Sequence, residues 1–266
     1  MAYIGEGRRI LVNKSVFGFA FVLASLAAMS ATHGADAARP GQSEPGFRLV
    51  ILKADPMFEE GKTVQDYERV WERVKKPGSE VLFEVGVREI ESYDWKRQSI
   101  TLTAEATKRL VAVLPSREQM NPTARSIKNM SERLGWGDAV GLSLLYKGFL
   151  VFVEGRPVYG GIVLEPMSQL RIHFPVLRFE TRNNKSVLSV MPVHVPFMTR
   201  DPVLSGQAGD LEPVFQPAAG DWKQFPQPMR DRFLADASST TAKQFREAIM
   251  SPSIRKILDG AGKLAK

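Results

Sequence analysis

Four short apolar segments, separated by glycine or proline, follow one another between residues 142 and 180: LSLLYKG, FLVFVEG, PVYGGIVL and LRIHFPVLRFE. β-Branched and aromatic residues are frequent in these segments, and their length and composition are typical of β-strands. No helical pattern separates them, so we expect neighbouring strands to pair in the antiparallel direction through short turns. This region predicts the core of a β-sheet.

The glycines between residues 155 and 161 raise the question of whether this stretch binds a ligand. Gly155 lies where a hairpin loop of three or four residues needs a positive φ angle, and Pro157 restricts φ beside it. Gly160-Gly161 lie within the return strand and predict a bulge or a close approach of two backbones. A glycine loop that binds phosphate lies instead between a strand and a helix. The stretch therefore predicts a hairpin.

The residues before this region alternate between strand and helix patterns. Strands are predicted at 47–53, 79–95 and 99–103, and helices at 63–76 and 103–114, with further helical character at 123–135. Thr63 and Thr103 are the predicted N-caps of the two helices. The chain is therefore assigned to the α+β class, with a largely antiparallel sheet and helices packed on one face of that sheet.

Both ends of the chain differ in composition from its centre. Residues 1–37 contain a basic N-terminal region, the apolar segment VFGFAFVLASLAAM and a cleavage site of small residues. Together these features are typical of a secretory signal cleaved after Ala37. The α+β domain is then predicted to span 38–191. Residues 192–230 are rich in proline and glycine and predict an arm or a linker. Residues 231–266 predict a C-terminal helical segment.

Composition agrees with export. The 266 residues include no cysteine, so neither a disulfide nor a thiolate ligand can form. We predict a periplasmic or secreted bacterial protein with no transmembrane span after the signal is removed. The formal net charge is +7, but basic and acidic residues are mixed, as in DYERVWERVKK. Nucleic-acid-binding proteins instead cluster basic residues on one face, so the sequence argues against that class.

No catalytic or metal-binding motif stands out. His173 and His194 remain after the predicted cleavage, and neither has the neighbours or the spacing of a zinc site. Ser143 lies in GLSLL and lacks the second glycine of a nucleophile elbow. Ser253 and Lys256 have S-x-x-K spacing without its partner motifs. We predict no cofactor, no bound metal and no identifiable catalytic residue.

Aromatic and arginine side chains in the predicted strands are candidate contacts for a partner. Such side chains bury a large area and keep a polar tip, so they are frequent at interfaces. We expect them to converge on one surface of the sheet, although ordinary core packing is the alternative. The predicted binding residues are Tyr93, Trp95, Arg156, Tyr159, Arg171 and His173, with Tyr146 and Arg178 in the same group.

Two short motifs carry a resemblance to a known family. Thr103-Ala104-Glu105-Ala106 begins a predicted helix after a strand, and Val153-Glu154-Gly155 precedes Pro157-Val158-Tyr159 in the hairpin. Over about residues 81–179, this arrangement resembles the periplasmic head region of the SecD-type subunit of the protein-export translocase. The resemblance implies an α+β module that contacts unfolded or partner polypeptides. It implies no catalytic residue, and the transmembrane helices of that subunit have no counterpart in this chain.

These observations favour an exported protein with a non-enzymatic binding role. It would contact a polypeptide or another envelope component through a face or an edge of the sheet. One alternative is a hydrolase-type enzyme that uses Glu89, Glu91 or Asp94 together with His173. Another is a carrier that holds a small apolar ligand between the sheet and the helices.

Overall fold

A computed structural model shows one eight-stranded sheet. Its strands are β1 (Phe47–Leu52), β4 (Val81–Gly86), β5 (Ile90–Asp94), β6 (Ser99–Leu102), β7 (Gly148–Val153), β8 (Arg156–Val163), β9 (Val176–Arg182) and β10 (Lys185–Met191). The order across the sheet is β4-β1-β7-β8-β9-β10-β6-β5. Every neighbouring pair is antiparallel except β8 and β9, which are parallel. The predicted α+β class and the largely antiparallel sheet are therefore confirmed.

The structure describes residues 46–59, 62–63, 66–76, 79–135, 137–165, 168, 170–195, 198–200, 215–217 and 226–265. These residues lie in one unit of the chain, residues 43–266. The predicted signal segment 1–37 and most of the proline-rich segment 192–230 lie outside the described residues. Within the part that is described, no helix combines the length and the apolar character needed to cross a membrane.

Seven α-helices and two small two-stranded sheets accompany the eight-stranded sheet in the described part of the chain. The helices are α1 (Tyr67–Val74), α2 (Ala104–Ala112), α3 (Pro122–Leu134), α4 (Ala139–Ser143), α5 (Gln227–Ala237), α6 (Thr240–Ile249) and α7 (Pro252–Gly260). The two-stranded sheets pair β2 (Phe58–Glu59) with β3 (Lys62–Thr63), and β11 (Met198–Arg200) with β12 (Phe215–Pro217).

Both faces of the sheet are covered by helices, so the prediction that helices pack on one face is wrong. Alternate residues of β1 enter two separate apolar clusters, with Leu49 in the first and Val50 in the second. The first cluster also contains residues of α2 and α7, and the second contains residues of α1, α3 and α6. A strand buried on both sides has a continuous apolar sequence, as FLVFV in β7 shows.

The glycine-rich stretch is a hairpin, as predicted. Val153 pairs with Arg156, so Glu154 and Gly155 alone form the turn, with φ angles of 50° and 74°. The loop therefore has two residues, shorter than the predicted three or four, and positive φ at both positions matches the twist of the strands. A Cβ atom at Gly161 would overlap the Pro175 carbonyl oxygen. The predicted close approach of two backbones is thus present where β8 meets the start of β9.

Two local predictions differ from the structure. The first helix begins at Tyr67 rather than at residue 63, because the Asp66 side chain accepts the Arg69 N–H at 3.0 Å and caps it. Thr63 lies in β3 instead. The segment LSLLYKG is not a strand: Asp138 caps α4, which ends at Ser143. Four of its five residues, Val140 to Ser143, are buried and only Ala139 is exposed, so its sequence carries no helical alternation of polar and apolar residues.

Candidate functional site

The most unusual polar group in the described fold is the side chain of Glu165. This residue follows β8 by two positions, and only 5 % of it is exposed. Its Oε2 accepts a long hydrogen bond of 3.4 Å from the backbone N–H of Asp138. Within the described residues, its Oε1 has no hydrogen-bond partner. A buried carboxyl oxygen without a donor costs free energy, so this position calls for an explanation.

Two glycines make room for this carboxyl group. A Cβ atom at Gly141 would overlap Oε1, and a Cβ atom at Gly137 would lie 3.0 Å from Oε2. Gly137 also has a φ of 79°, which a residue with a side chain rarely adopts. The start of α4 and the end of β8 therefore fit together only with glycine at these positions.

Asp138 takes the free N–H groups at the start of α4. Its Oδ1 accepts from the backbone N–H of Val140 at 2.9 Å and of Gly141 at 3.1 Å. Two of the donors at this end of the helix are therefore already used by Asp138, and Glu165 accepts from the N–H of Asp138 itself. Two carboxyl groups consequently meet at the same short helix.

Arg178 and His194 complete the buried polar cluster. An Arg178 Nη2 donates to Nδ1 of His194 at 2.7 Å, and Nε2 of His194 lies 2.9 Å from the Ser168 carbonyl oxygen. A guanidinium group can only donate, so Nδ1 must accept, and the ring proton must lie on Nε2. The Ser168 N–H in turn donates to the Glu165 carbonyl oxygen at 3.0 Å. One hydrogen-bonded chain therefore links β9, His194 and the segment after β8.

The protonation behaviour of the cluster follows from burial. Burial raises the pKa of Glu165 to about 7, aided by the negative charge of Asp138 and opposed by the Asp138 N–H and by Arg178. Burial and the charge of Arg178 lower the pKa of His194 to about 3. His194 is thus a neutral structural hydrogen-bond partner at physiological pH, and Glu165 titrates near neutrality.

A serine–lysine contact lies on the α3 side of α4. Lys128 Nζ donates to Ser143 Oγ at 2.5 Å, and this hydroxyl donates to the Ala139 carbonyl oxygen at 2.8 Å. The lysine also lies 3.7 Å from Oε1 of Glu132. Ser143 is 4 % exposed, and its proton is committed to the backbone of its own helix. The arrangement joins α4 to α3 and offers no accessible nucleophile.

Tyr93 and Tyr159, two of the tyrosines in the predicted binding group, lie in the core. Tyr93 is 1 % exposed and Tyr159 is 2 % exposed, and both belong to the first apolar cluster. The Tyr93 hydroxyl donates to Oε1 of Gln98 at 2.7 Å. The Tyr159 ring packs edge-on against Phe149 with centroids 6.4 Å apart. Because helices cover this face, the two side chains are not available to a partner in this conformation.

The other predicted binding residues are distributed over the molecule. The Trp95 ring lies 5.8 Å from the Arg255 guanidinium of α7. Nε of Arg171 donates to Asp236 of α5 at 2.8 Å. Arg156 and His173 are exposed, Arg156 beside the β7–β8 turn and His173 before β9. The expected single contact surface on the sheet does not form.

The carboxylates of the enzyme hypothesis are held in separate ion pairs. Glu89 pairs with Arg109 at 2.9 Å and Glu91 with Lys185 at 2.6 Å. Asp94 accepts the Arg97 N–H at 2.9 Å. β5, which carries Glu91 and Asp94, is separated from β9 by β6 and β10, whereas His173 precedes β9. The fold gives these groups different partners and does not assemble them into a paired acid–base site.

Sequence reasoning did not single out Glu165, Asp138 or Arg178 as one cluster. The available signals were a glutamate directly after the buried strand residues Ile162–Leu164 and two glycines four residues apart at 137 and 141. Neither signal is specific, because a glutamate at the end of a strand is usually solvated. The approach of Glu165 to Arg178 depends on the parallel pairing of β8 with β9, which the sequence pattern does not predict.

The two edges of the sheet differ in how they are covered. At β5, residues 263–265 of the chain form a parallel bridge to Tyr93. At the opposite edge, β4 pairs only with β1 among the described residues. Leu49 and Ile51 of β1 face Val85 and Phe83 of β4. The edge of β4 that lies away from β1 is therefore open in the described part of the fold.

Alternation along β4 determines which peptide groups face this open edge. In an antiparallel ladder, successive residues turn their N–H and C=O groups to opposite sides. Even-numbered residues at the start of β1 bond to β7, since the Gly46 carbonyl accepts the Glu154 N–H at 2.9 Å. The odd-numbered residues Leu49 and Ile51 therefore bond to their partners on β4, Val85 and Phe83. The N–H and C=O of Glu84, which lies between these two partners, point outward. The outward N–H of Gly86 donates to Oε2 of Glu89 at 2.9 Å.

A comparison of the chain with known proteins gives no relative: no protein-family model matches it, and no curated protein or solved structure matches it either.

Proposed function

We propose that this protein is an exported, non-enzymatic binding protein that takes an extended polypeptide segment as an additional strand on β4. The observation that carries the proposal is the open edge of β4, where the N–H and C=O of Glu84 face away from β1. An exposed strand edge is a template for pairing with another chain. The partner is a polypeptide of the bacterial envelope, in keeping with the export signal predicted at residues 1–37.

The rest of the described sheet supports this choice of edge. Helices cover both faces, and residues 263–265 lie along the β5 edge. Binding through a face would require removal of a helix, whereas pairing with β4 requires no rearrangement. The exposed side chain of Val81, 49 % accessible, adds apolar area at the start of the same edge.

The open edge is short, which sets limits on the partner. The pairing between β1 and β4 shifts register at Ile51 and Leu52, so Leu82 is an extra residue in β4. Such a bulge twists an edge strand and limits unselective pairing. An added strand therefore pairs regularly only beside Glu84, because the outward N–H of Gly86 already donates to Glu89. We expect a weak interaction, with a Kd of about 10 µM or weaker, since the interface is small.

The resemblance to the head region of the SecD-type translocase subunit favours the same class of partner. Its two motifs fall on the start of α2 and on the hairpin of β7 and β8. A module that contacts unfolded or partner polypeptides is what that resemblance implies, and strand addition is a physical way to do so without sequence-specific pockets.

The test is a selection of displayed random peptides on the mature chain, followed by affinity measurements on two variants of one residue. Glu84→Pro removes the outward N–H, and proline is tolerated at an edge position whose N–H faces solvent. Glu84→Thr changes the same side chain but keeps the N–H, so it is the matched control. We expect the selected peptides to bind wild type and Glu84→Thr alike and to bind Glu84→Pro at least about tenfold more weakly.

Two results would overturn the proposal. One is a selection that enriches no peptide. The other is equal binding to a folded Glu84→Pro variant, with folding checked by circular dichroism. If Glu84→Pro does not fold, the amide of Glu84 in the wild type is the alternative readout, because strand pairing must slow its hydrogen exchange.

A further inference from the structure

The carboxyl group of Glu165 is not used by strand addition on β4, and its setting points to a role of its own. It is enclosed between the end of β8, the start of α4 and β9, with Gly141 against Oε1 and the Asp138 N–H on Oε2. Oε1 has no donor among the described residues. A neutral carboxylic acid fits such a site better than a carboxylate, because burial disfavours the charged form and one oxygen has no donor to stabilise it.

Charged groups reach this site from each element packed around it. Asp138 at the start of α4 adds a negative charge, and Arg178 on β9 adds a positive charge. His194 lies behind Arg178 and is held neutral by its two hydrogen bonds. On the opposite side of α4, Lys128 of α3 donates to Ser143 and lies near Glu132 of its own helix. Arg178 therefore donates to His194 and also acts electrostatically on the Glu165 carboxyl group.

We propose that Glu165 is a proton-binding site that controls the docking of α4. The neutral carboxyl group holds residues 137–145 against the sheet, and loss of its proton loosens this segment. The ligand of the site is the proton itself, so the device would make the protein sensitive to the pH of its surroundings. This inference does not depend on strand addition at β4.

The direction of the effect follows from the two charge states. Deprotonation places a carboxylate beside Asp138 with one oxygen unpartnered, and only water that enters between α4 and β9 can relieve it. α4 can move for this purpose because it has five residues. Its first internal hydrogen bond runs from the Leu142 N–H to the Asp138 carbonyl at 2.8 Å. Opening of this turn would expose both carboxylates to water.

Hydrogen exchange of the α4 amides tests the proposal. Protection factors, which correct for the intrinsic pH dependence of exchange, are measured for Leu142 and Leu144 at pH 5 and pH 8 in the full chain. If opening exposes Glu165 fully, protection at pH 8 falls on the order of 50-fold below that at pH 5. In Glu165→Gln, which keeps the shape but cannot ionise, the ratio stays near one. Glu180→Gln, an exposed glutamate of β9, is the matched control and behaves as wild type.

The result that overturns the proposal is an equal pH dependence of α4 protection in wild type and Glu165→Gln. Absence of any pH dependence in the wild type overturns it as well. If Glu165→Gln does not fold, carbon-13 NMR of the Glu165 carboxyl group in the wild type replaces it. A transition near pH 7, where the loss of α4 protection levels off, supports the proposal, and a transition near the ordinary glutamate range refutes it.

Discussion

Tyr93 and Leu264 form a parallel bridge that closes one edge of the sheet. The Tyr93 N–H donates to the Lys263 carbonyl oxygen at 2.7 Å, and the Tyr93 carbonyl accepts from the Ala265 N–H at 2.9 Å. The chain therefore covers the β5 edge with its own C-terminal residues, while β4 has no such cover among the described residues. This asymmetry is the reason for assigning binding to β4.

Removal of residues 263–266 should open the β5 edge. We expect the Tyr93 amide to exchange at least about tenfold faster than in the full chain, because its acceptor is lost. Lys263→Ala is the matched control, since it removes the side chain but keeps the carbonyl group. Amide exchange followed by NMR checks both variants. Unchanged protection of Tyr93 in the truncated chain would mean that the bridge contributes nothing in solution.

Glu165 and His194 should make opposite contributions to the pH dependence of stability. The pKa of Glu165 rises from 4.5 to about 7 on folding, so its stabilising contribution is complete below pH 4.5 and is lost as the pH rises to 7. The pKa of His194 falls from 6.5 to about 3, so the fold loses stability as the pH falls from 6.5 to 3. Between pH 4.5 and 6.5 the two effects nearly cancel.

Single variants should reveal the cancellation. From pH 4.5 to 6.5, the free energy of unfolding of Glu165→Gln should rise by about 2 kcal/mol relative to wild type. His194→Gln, whose amide can accept from Arg178 and donate to Ser168, should fall by a similar amount over the same range. Urea denaturation at several pH values measures both. Parallel pH profiles for the two variants and the wild type would show that neither group titrates as assigned.

Gly141→Ala should destabilise the protein through Glu165. A methyl group at this position overlaps Oε1, and relief requires displacement of a buried side chain, so we expect a loss of about 2–4 kcal/mol. Adding Glu165→Ala should recover part of that loss, because the overlap disappears. Gly155→Ala is the comparison variant: a Cβ atom at this turn would have no neighbouring atom within 4 Å, so the substitution tests backbone strain without a clash. Additive effects of Gly141→Ala and Glu165→Ala in a double-mutant cycle would contradict the contact.

Arg171 should act in stability rather than in binding. Its guanidinium pairs with Asp236, and the two side chains are 25 % and 15 % exposed. Arg171→Ala leaves the Asp236 carboxylate without its partner, so we expect a loss of about 1–3 kcal/mol and a smaller loss in Arg171→Ala/Asp236→Ala. Arg156→Ala, at the exposed hairpin, should change stability by less than about 0.5 kcal/mol. Thermal denaturation of the three variants distinguishes these outcomes.

The sequence predicted the sheet better than the site. Strand composition and turn residues located β1, β6, β7 and β8, because each of these features is local. The parallel pairing of β8 with β9 and the helices on the second face depend on contacts between distant residues. The segment LSLLYKG resembles a strand in sequence because burial of every residue from 142 to 148 removes the alternation on which the distinction depends.

The predicted binding residues show the same limit. A tyrosine in a strand has one sequence pattern whether it faces a partner or a packed helix, and Tyr93 and Tyr159 face helices. The sequence around a carboxylate does not show which basic side chain will pair with it. Glu91, for example, pairs with Lys185, which lies 94 positions further along the chain. Residue type indicated candidates, and the long-range topology decided their roles.

The most direct measurement of the central claim is hydrogen exchange of the β4 amides with and without a selected peptide. If the peptide adds to β4, the amide of Glu84 becomes protected on binding, while the amides of Phe83 and Val85, already bonded to β1, change little. If the peptide instead protects amides of α3 or of the β5 edge and leaves Glu84 unchanged, strand addition at β4 is contradicted.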